Sequence, residues 1–261
     1  MGHGHMRNER NRDSRTRRGI RLPVWLLAGF LALPGTVQAQ DADFLFRNPR
    51  VTLAFHGGLH QARSNSEVFV FTTDNLTVDM GDFDTPAWRA ELGIRVAPRV
   101  DIAVDVAWSS ADVRSETRDF VGTDDLPIRQ TTRFSQTPVS FNAKYYLKER
   151  GRSIGEFAWI PSSWSAYVGG GVGVANYSFE QTGEFVIEET LDIVFASLTS
   201  SSRGTLTQVL AGVEYGLASR FAVVLDGRYR WATAEMRDDW VEFDNIDLSG
   251  LSLSLGLALR L

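Results

Sequence analysis

Among the residues that could do chemistry, His56 and His60 come first, because they are the only histidines beyond residue 39. They sit in "VTLAFHGGLH", where apolar and polar residues alternate with the two-residue period of a β-strand. Four residues along a strand span about 13 Å at ~3.3 Å each. One metal ion with ligands at ~2 Å cannot hold both, so they read as two polar residues on one strand face. The chain has no cysteine, which removes disulfides, thiolate metal sites and a lipoprotein anchor. Acidic stretches such as "DNLTVDMGDFDTP", "EQTGEFVIEETLD" and "EMRDDWVEFDNID" carry carboxylates that suit calcium or magnesium. Their spacing matches no ligand loop, so they read as solvated surface. The expected set of catalytic, cofactor-binding and metal-binding residues is therefore none, with no cofactor.

A second group of charges is ordered: Arg89, Glu91, Arg95, Asp101, Asp105, Lys144, Glu214, Asp226, Arg228, Arg230 and Arg260, six positive and five negative. The elements that hold them explain the order. The sequence ends in "LSLSLGLALRL", with Leu at every odd position, and seven other segments repeat this alternation: 51–59, 88–96, 100–108, 139–147, 164–174, 209–217 and 221–231. One face of every segment is free of charge, and the opposite face carries the charged set together with Gly, Ala and Ser.

A soluble eight-stranded barrel also alternates, but its apolar face points into a lumen just wide enough for side chains or one small ligand. The apolar residues here are too many and too bulky for that space. Turned outward they fit a bilayer, and the small and charge-balanced residues fill the lumen. The expected fold is therefore an all-β, membrane-spanning, eight-stranded antiparallel up-and-down β-barrel. Pairs such as Glu214 with Arg228 and Asp226 with Arg230 are expected to close the interior.

The connections support a barrel with short periplasmic turns and long extracellular loops. "APR" and "ASR" are short, "KERGRSIGEFAWIPSS" is longer, and the others are expected to be loops at 61–84, 109–132, 178–204 and 232–246. Trp88, Trp108 and Trp231 would form an outer aromatic girdle, and Tyr145, Trp164, Tyr215 and Phe221 an inner one. Pro138 has no amide hydrogen, so the fourth strand is expected to start after it or to bulge there. The serines of "FASLTSSSRG" are expected in a flexible loop. Phe69, Phe71, Phe83, Phe185, Phe195 and Trp240, set among the loop acids, suggest a surface that meets an extracellular partner.

Residues 1–39 read as a cleaved signal peptide: seven arginines precede the apolar run "LPVWLLAGFLAL", and Val37 and Ala39 fit the cleavage pattern. Residues 40–261 would be the barrel domain. The leader holds seven of the 27 basic and two of the 32 acidic residues, so the remainder carries a net charge of about −10. That argues against nucleic acid as a partner.

In "SAYVGGGVGVANYSF", "LAGVEYGLASRFAVVLDGRYRW" and the final strand, the chain resembles the OmpA/OmpX-type small outer-membrane barrels of Gram-negative bacteria, over residues 45–261. The resemblance implies both termini in the periplasm and insertion by the barrel-assembly machinery, which reads the last strand. The family's last residue is usually aromatic, and here it is Leu261. No periplasmic peptidoglycan-binding domain is expected to follow.

The function expected is a non-enzymatic, structural or surface-interaction role in a monomer surrounded by outer-membrane lipid and lipopolysaccharide. Two alternatives stand beside it: an enzyme that modifies lipid A, and a narrow pore for small or hydrophobic molecules. Such an enzyme needs a nucleophile and base within hydrogen-bond reach at the lipid-facing surface, and no Ser or His has that parity in any segment.

Overall fold

The computed structural model describes residues 44–122, 125–155, 158–187, 190 and 192–261. The expected signal peptide lies outside them. The strands are β1 (Val51–Ala62), β2 (Thr85–Ala97), β3 (Val100–Val121), β4 (Pro127–Tyr146), β5 (Gly151–Ile154), β6 (Ala158–Pro161), β7 (Trp164–Val186), β8 (Ile193–Gly216), β9 (Phe221–Ala234), β10 (Ile246–Asp247) and β11 (Gly250–Arg260). Among the described residues one α-helix, α1 (Glu67–Asn75), follows β1.

Eight of these strands form a closed antiparallel ring in the order β1, β2, β3, β4, β7, β8, β9, β11. β11 returns to β1 with Phe55 opposite Leu257 and His56 opposite Gly256. Within the closed ring no sheet edge is left unpaired; β3 beyond Ser109 and β8 before Thr205 project with strand pairing on one side. The short β10 pairs with β9 beyond the ring's closure, and β5 and β6 form a separate hairpin.

The two faces of the ring sort as the alternation demands. No position on the charge-free face of the eight segments is buried. Leu53, Leu92, Phe141, Val168, Val213, Leu225 and Leu257 all stand exposed on the outside. Each such side chain forfeits about 1.5–3 kcal/mol if left in water, so a continuous belt of them is stable only in an apolar solvent. Trp88 and Trp108 pair across β2 and β3 at one margin of the belt, and Trp164 and Tyr215 pair across β7 and β8 at the other. This is an eight-stranded transmembrane barrel.

Three expectations about the connections are corrected. The long hairpins were expected as loops at 109–132 and 178–204, but β3 runs on to Val121, β4 starts at Pro127, β7 runs to Val186 and β8 starts at Ile193. At ~3.3 Å per residue the 23 residues of β7 extend for about 75 Å, whereas a bilayer takes only about 9–11 residues of a tilted strand. Beyond the aromatic margin the outward face no longer has to be apolar, so the alternation that marks a strand fades. Thr131, Thr182, Thr199 and Thr205 keep the ladder, as β-branched residues do.

The serines of "FASLTSSSRG" accordingly lie in strand, and Ser200 is fully buried. β4 also passes straight through Pro138, contrary to the expected start or bulge. Pairing with β3 lapses beside it and resumes unshifted, with Val106 opposite Val139 and Ser109 opposite Gln136; the register shifts only near the hairpin tip, between Glu116 and Val121. Pro138 stays opposite Ala175 on β7. The gap therefore costs one stretch of one ladder and no change of register. Finally, the longer turn contains the β5–β6 hairpin, which bonds through Trp159 to Leu45 at one end of the ring.

Candidate functional site

Among the described residues, charged side chains converge in the interior of the ring, which is built in three layers. The middle layer centres on Arg228, on the inward face of β9. Its Nε meets Asp226 Oδ1 at 2.7 Å, Nη1 meets Asp105 Oδ2 at 2.5 Å and Nη2 meets Glu91 Oε2 at 2.8 Å. Arg89 Nη1 reaches Asp226 at 2.9 Å, and Lys144 Nζ pairs with Glu91. Tyr167 donates its hydroxyl proton to Asp226 at 2.6 Å, with its ring 4.7 Å from Lys144 Nζ. Gly212, opposite Tyr167, makes this possible, since a Cβ there would collide with the tyrosine oxygen. Ser140 and Asn142 donate to the two oxygens of Asp105. All these groups are buried, and a buried charge is tolerated only when paired and hydrogen-bonded.

The second layer closes the end near Leu45 and Leu261. Arg150 meets Asp101 at 2.6 Å, Arg260 meets Glu214 at 3.2 Å, and the Tyr146 hydroxyl donates to Glu214 at 2.6 Å. Below them Trp159, on β6, is 2% exposed. It is tied by paired backbone bonds to Leu45, and the guanidinium groups of Arg95 and Arg260 lie 5.6 and 5.9 Å from its ring.

The third layer closes the opposite, hairpin end and is apolar. α1 carries Phe69 inward, a short 3₁₀ turn carries Phe83 and another carries Trp240. Phe69 lies 5.0 Å from Phe83 and 5.2 Å from Phe134, and Phe179 lies 5.2 Å from Trp240, in edge-to-face contacts. Such pairs contribute beyond their buried area. Met236, Ile246 and Leu248 complete the cap.

The structure places the residues read from sequence as follows. The charged set lies in the lumen, buried throughout except Arg95, which is partly exposed. The two ion pairs expected are not the pairs formed: Glu214 engages Arg260, Arg150 and Tyr146, while Asp226 engages Arg228 and Arg89. Apart from Asp226 with Arg228, two residues apart on β9, the partners that sit on ring strands are on strands that are not neighbours in the ring, as the stagger of a narrow barrel allows. Arg230 meets Gln136 at 2.8 Å and His60 at 3.1 Å. Of the six loop aromatics assigned to a partner surface, Phe69, Phe83 and Trp240 are buried in the cap instead, while Phe71 and Phe195 are exposed. An apolar side chain beside an open lumen mouth gains more by covering it than by facing water.

His56 and His60 both point inward, as their parity requires, and are buried. The His56 ring lies where a Cβ on Gly256 would stand. His60 Nδ1 lies 3.0 Å from Ser252 Oγ and its Nε2 3.1 Å from Arg230 Nη2. This Ser–His contact was missed by considering only the lipid-facing parity. The signal for it was the closure of β11 on β1, which sets His60 directly opposite Ser252. Arg230 can only donate, so Nε2 accepts and Nδ1 carries the proton toward the serine, the reverse of what a general base requires. Among the described residues no group of three or more His, Asp or Glu could hold a metal ion.

No family model and no curated protein matches the chain. Among solved structures it is similar to Neisserial surface protein A, at 14% identity over 84% of this chain and 98% of that one, with a TM-score of 0.44. It is also similar to the outer membrane protein OprG from Pseudomonas aeruginosa, at 14% identity over 83% and 99%, with a TM-score of 0.46. A major outer membrane protein from Thermus thermophilus gives 11% over 81% and 99%, with a TM-score of 0.46.

Proposed function

We propose that this protein is a non-enzymatic, monomeric outer-membrane barrel whose lumen is sealed and whose role is exercised at the cell surface by its hairpin end. The observation that carries this reading is the contrast between the two parts of the molecule. The lumen is filled by ion pairs and capped at both ends, while the β3–β4 and β7–β8 hairpins stand well beyond the aromatic margin with Phe120, Val121 and Phe195 exposed. Exposed apolar residues on a polar projection are what a protein or membrane partner recognises. In this reading the chain termini lie in the periplasm, the barrel-assembly machinery inserts the chain, lipopolysaccharide surrounds the outer half of the belt, and an extracellular partner meets the hairpin tips.

Two experiments on cells test it. A photo-crosslinking residue in place of Phe195 should give a discrete adduct in intact cells, and one in place of Glu149, at the opposite end, should give no surface adduct. Absence of an adduct at Phe195 would remove the surface-interaction role. Lipid A mass spectra with and without the gene should be identical, whereas gain or loss of an acyl chain would establish the enzymatic alternative.

A further inference from the structure

A groove of about 520 Å³ lies on the outside of the barrel wall at the hairpin-end margin of the apolar belt. Its floor is the outward face of β8 and β9, where Thr205 pairs with Thr233 and Thr207 with Trp231. One pair nearer the bilayer, Val209 opposite Tyr229, the lipid-facing belt begins. The groove therefore starts at the depth of the aromatic girdle and rises away from the membrane, at the level of lipid head groups.

The opposite wall is polar and fixed. Arg63, just past β1, lies 3.9 Å from Asp247 on β10. Asn65, with its amide turned to suit both, accepts from Arg63 Nε at 3.1 Å and donates to Asp247. Between them Ser64 is fully buried and adopts a left-handed conformation, φ 47°, which only a well-determined turn sustains in a residue other than glycine. The Arg63 amide donates to Ser249 O at 3.0 Å, and Asp247 accepts from the Ser249 amide at 2.9 Å. The Ser66 hydroxyl, also in the lining, makes no hydrogen bond among the described residues.

The groove thus offers an exposed indole, held edge-to-face by Tyr229 at 4.7 Å, opposite a carboxylate, an amide, a guanidinium and several hydroxyls. We infer that this groove is a saccharide-binding site. One face of a pyranose carries only C–H groups and stacks on an indole, while its vicinal hydroxyls match the paired acceptors and donors of Asp247, Asn65 and Arg63. A bare phosphate fits less well, because the one arginine in the lining faces Asp247 and the pair is close to neutral. The sugar can come from a glycolipid of the adjoining leaflet or from a free glycan. Only the glycolipid source rests on the outer-membrane reading above.

The test is native mass spectrometry of the folded protein released from detergent, with two probes: purified lipopolysaccharide, and the acyl-free oligosaccharide released from it by mild acid. Trp231→Leu keeps the lipid-facing surface apolar, and Asp247→Asn keeps the acceptor for the Ser249 amide. Each should weaken binding by about tenfold or more, while Trp88→Leu, a girdle residue outside the groove, should bind as the unsubstituted protein does. Heat-dependent gel migration checks that each variant is folded. Equal losses for both probes assign the site to the sugar whatever its carrier, and losses for lipopolysaccharide alone assign it to the glycolipid. Binding that is absent from the unsubstituted protein, or unchanged in both variants, would overturn the inference while leaving the crosslinking result at Phe195 untouched.

Discussion

Arg228 shows how much of the lumen depends on single side chains. Its three carboxylate partners come from β2, β3 and its own strand, and Asp226 also serves Arg89 and Tyr167. Asp226→Ala would leave Arg89 as an uncompensated buried charge and take one of three carboxylates from Arg228, a loss of about 3–5 kcal/mol, measurable by denaturant unfolding of the refolded protein in lipid. Arg133→Ala breaks a pair of similar length to Asp112, but both side chains are more than half exposed, so solvent screening should leave the same measurement nearly unchanged. Leu255→Arg places a charge on the lipid side and should cost about 2–4 kcal/mol. Ser254→Arg, one residue away, acts on the lumen side, where the serine already lies against the backbone of Gly58. At this scale the sequence discloses which way a residue points, because parity decides it. It does not disclose which residue it meets: Glu214 finds Arg260 and not Arg228 because of a stagger that no local pattern encodes.

Among the elements, the eight membrane-crossing stretches are legible because two solvents, lipid outside and a polar lumen inside, impose strict alternation on every strand. Where only one of those solvents remains the pattern dissolves, which is why the upper halves of β3, β4, β7 and β8 read as loops. The β5–β6 hairpin is hidden for another reason. It is four residues per strand, and its role is visible only once Trp159 is seen lying across Gly151 and between two arginines. Trp159→Ala removes the floor of the layer formed by Arg150, Asp101, Arg260 and Glu214 and the packing that supports the paired bonds to Leu45. It should cost about 3–5 kcal/mol and should release the segment around Leu45 to added protease, where the unsubstituted protein stays intact. Equal protease resistance in the two would show that the hairpin does not hold that segment.

For the molecule as a whole, the described residues form a barrel with a stoppered bore. Ionic side chains occupy its middle, an indole between guanidinium groups closes one end, and a cluster of phenylalanines and a tryptophan closes the other. That ion pairs would close the lumen could be expected from the near balance of charge on the inward parity. The apolar cap could not, because its residues lie in stretches where no periodicity marks their direction. The most direct measurement is single-channel recording of the folded protein in planar bilayers. A lumen sealed in three layers predicts no steady conductance across the working voltage range. Steady, discrete openings of defined size would contradict it.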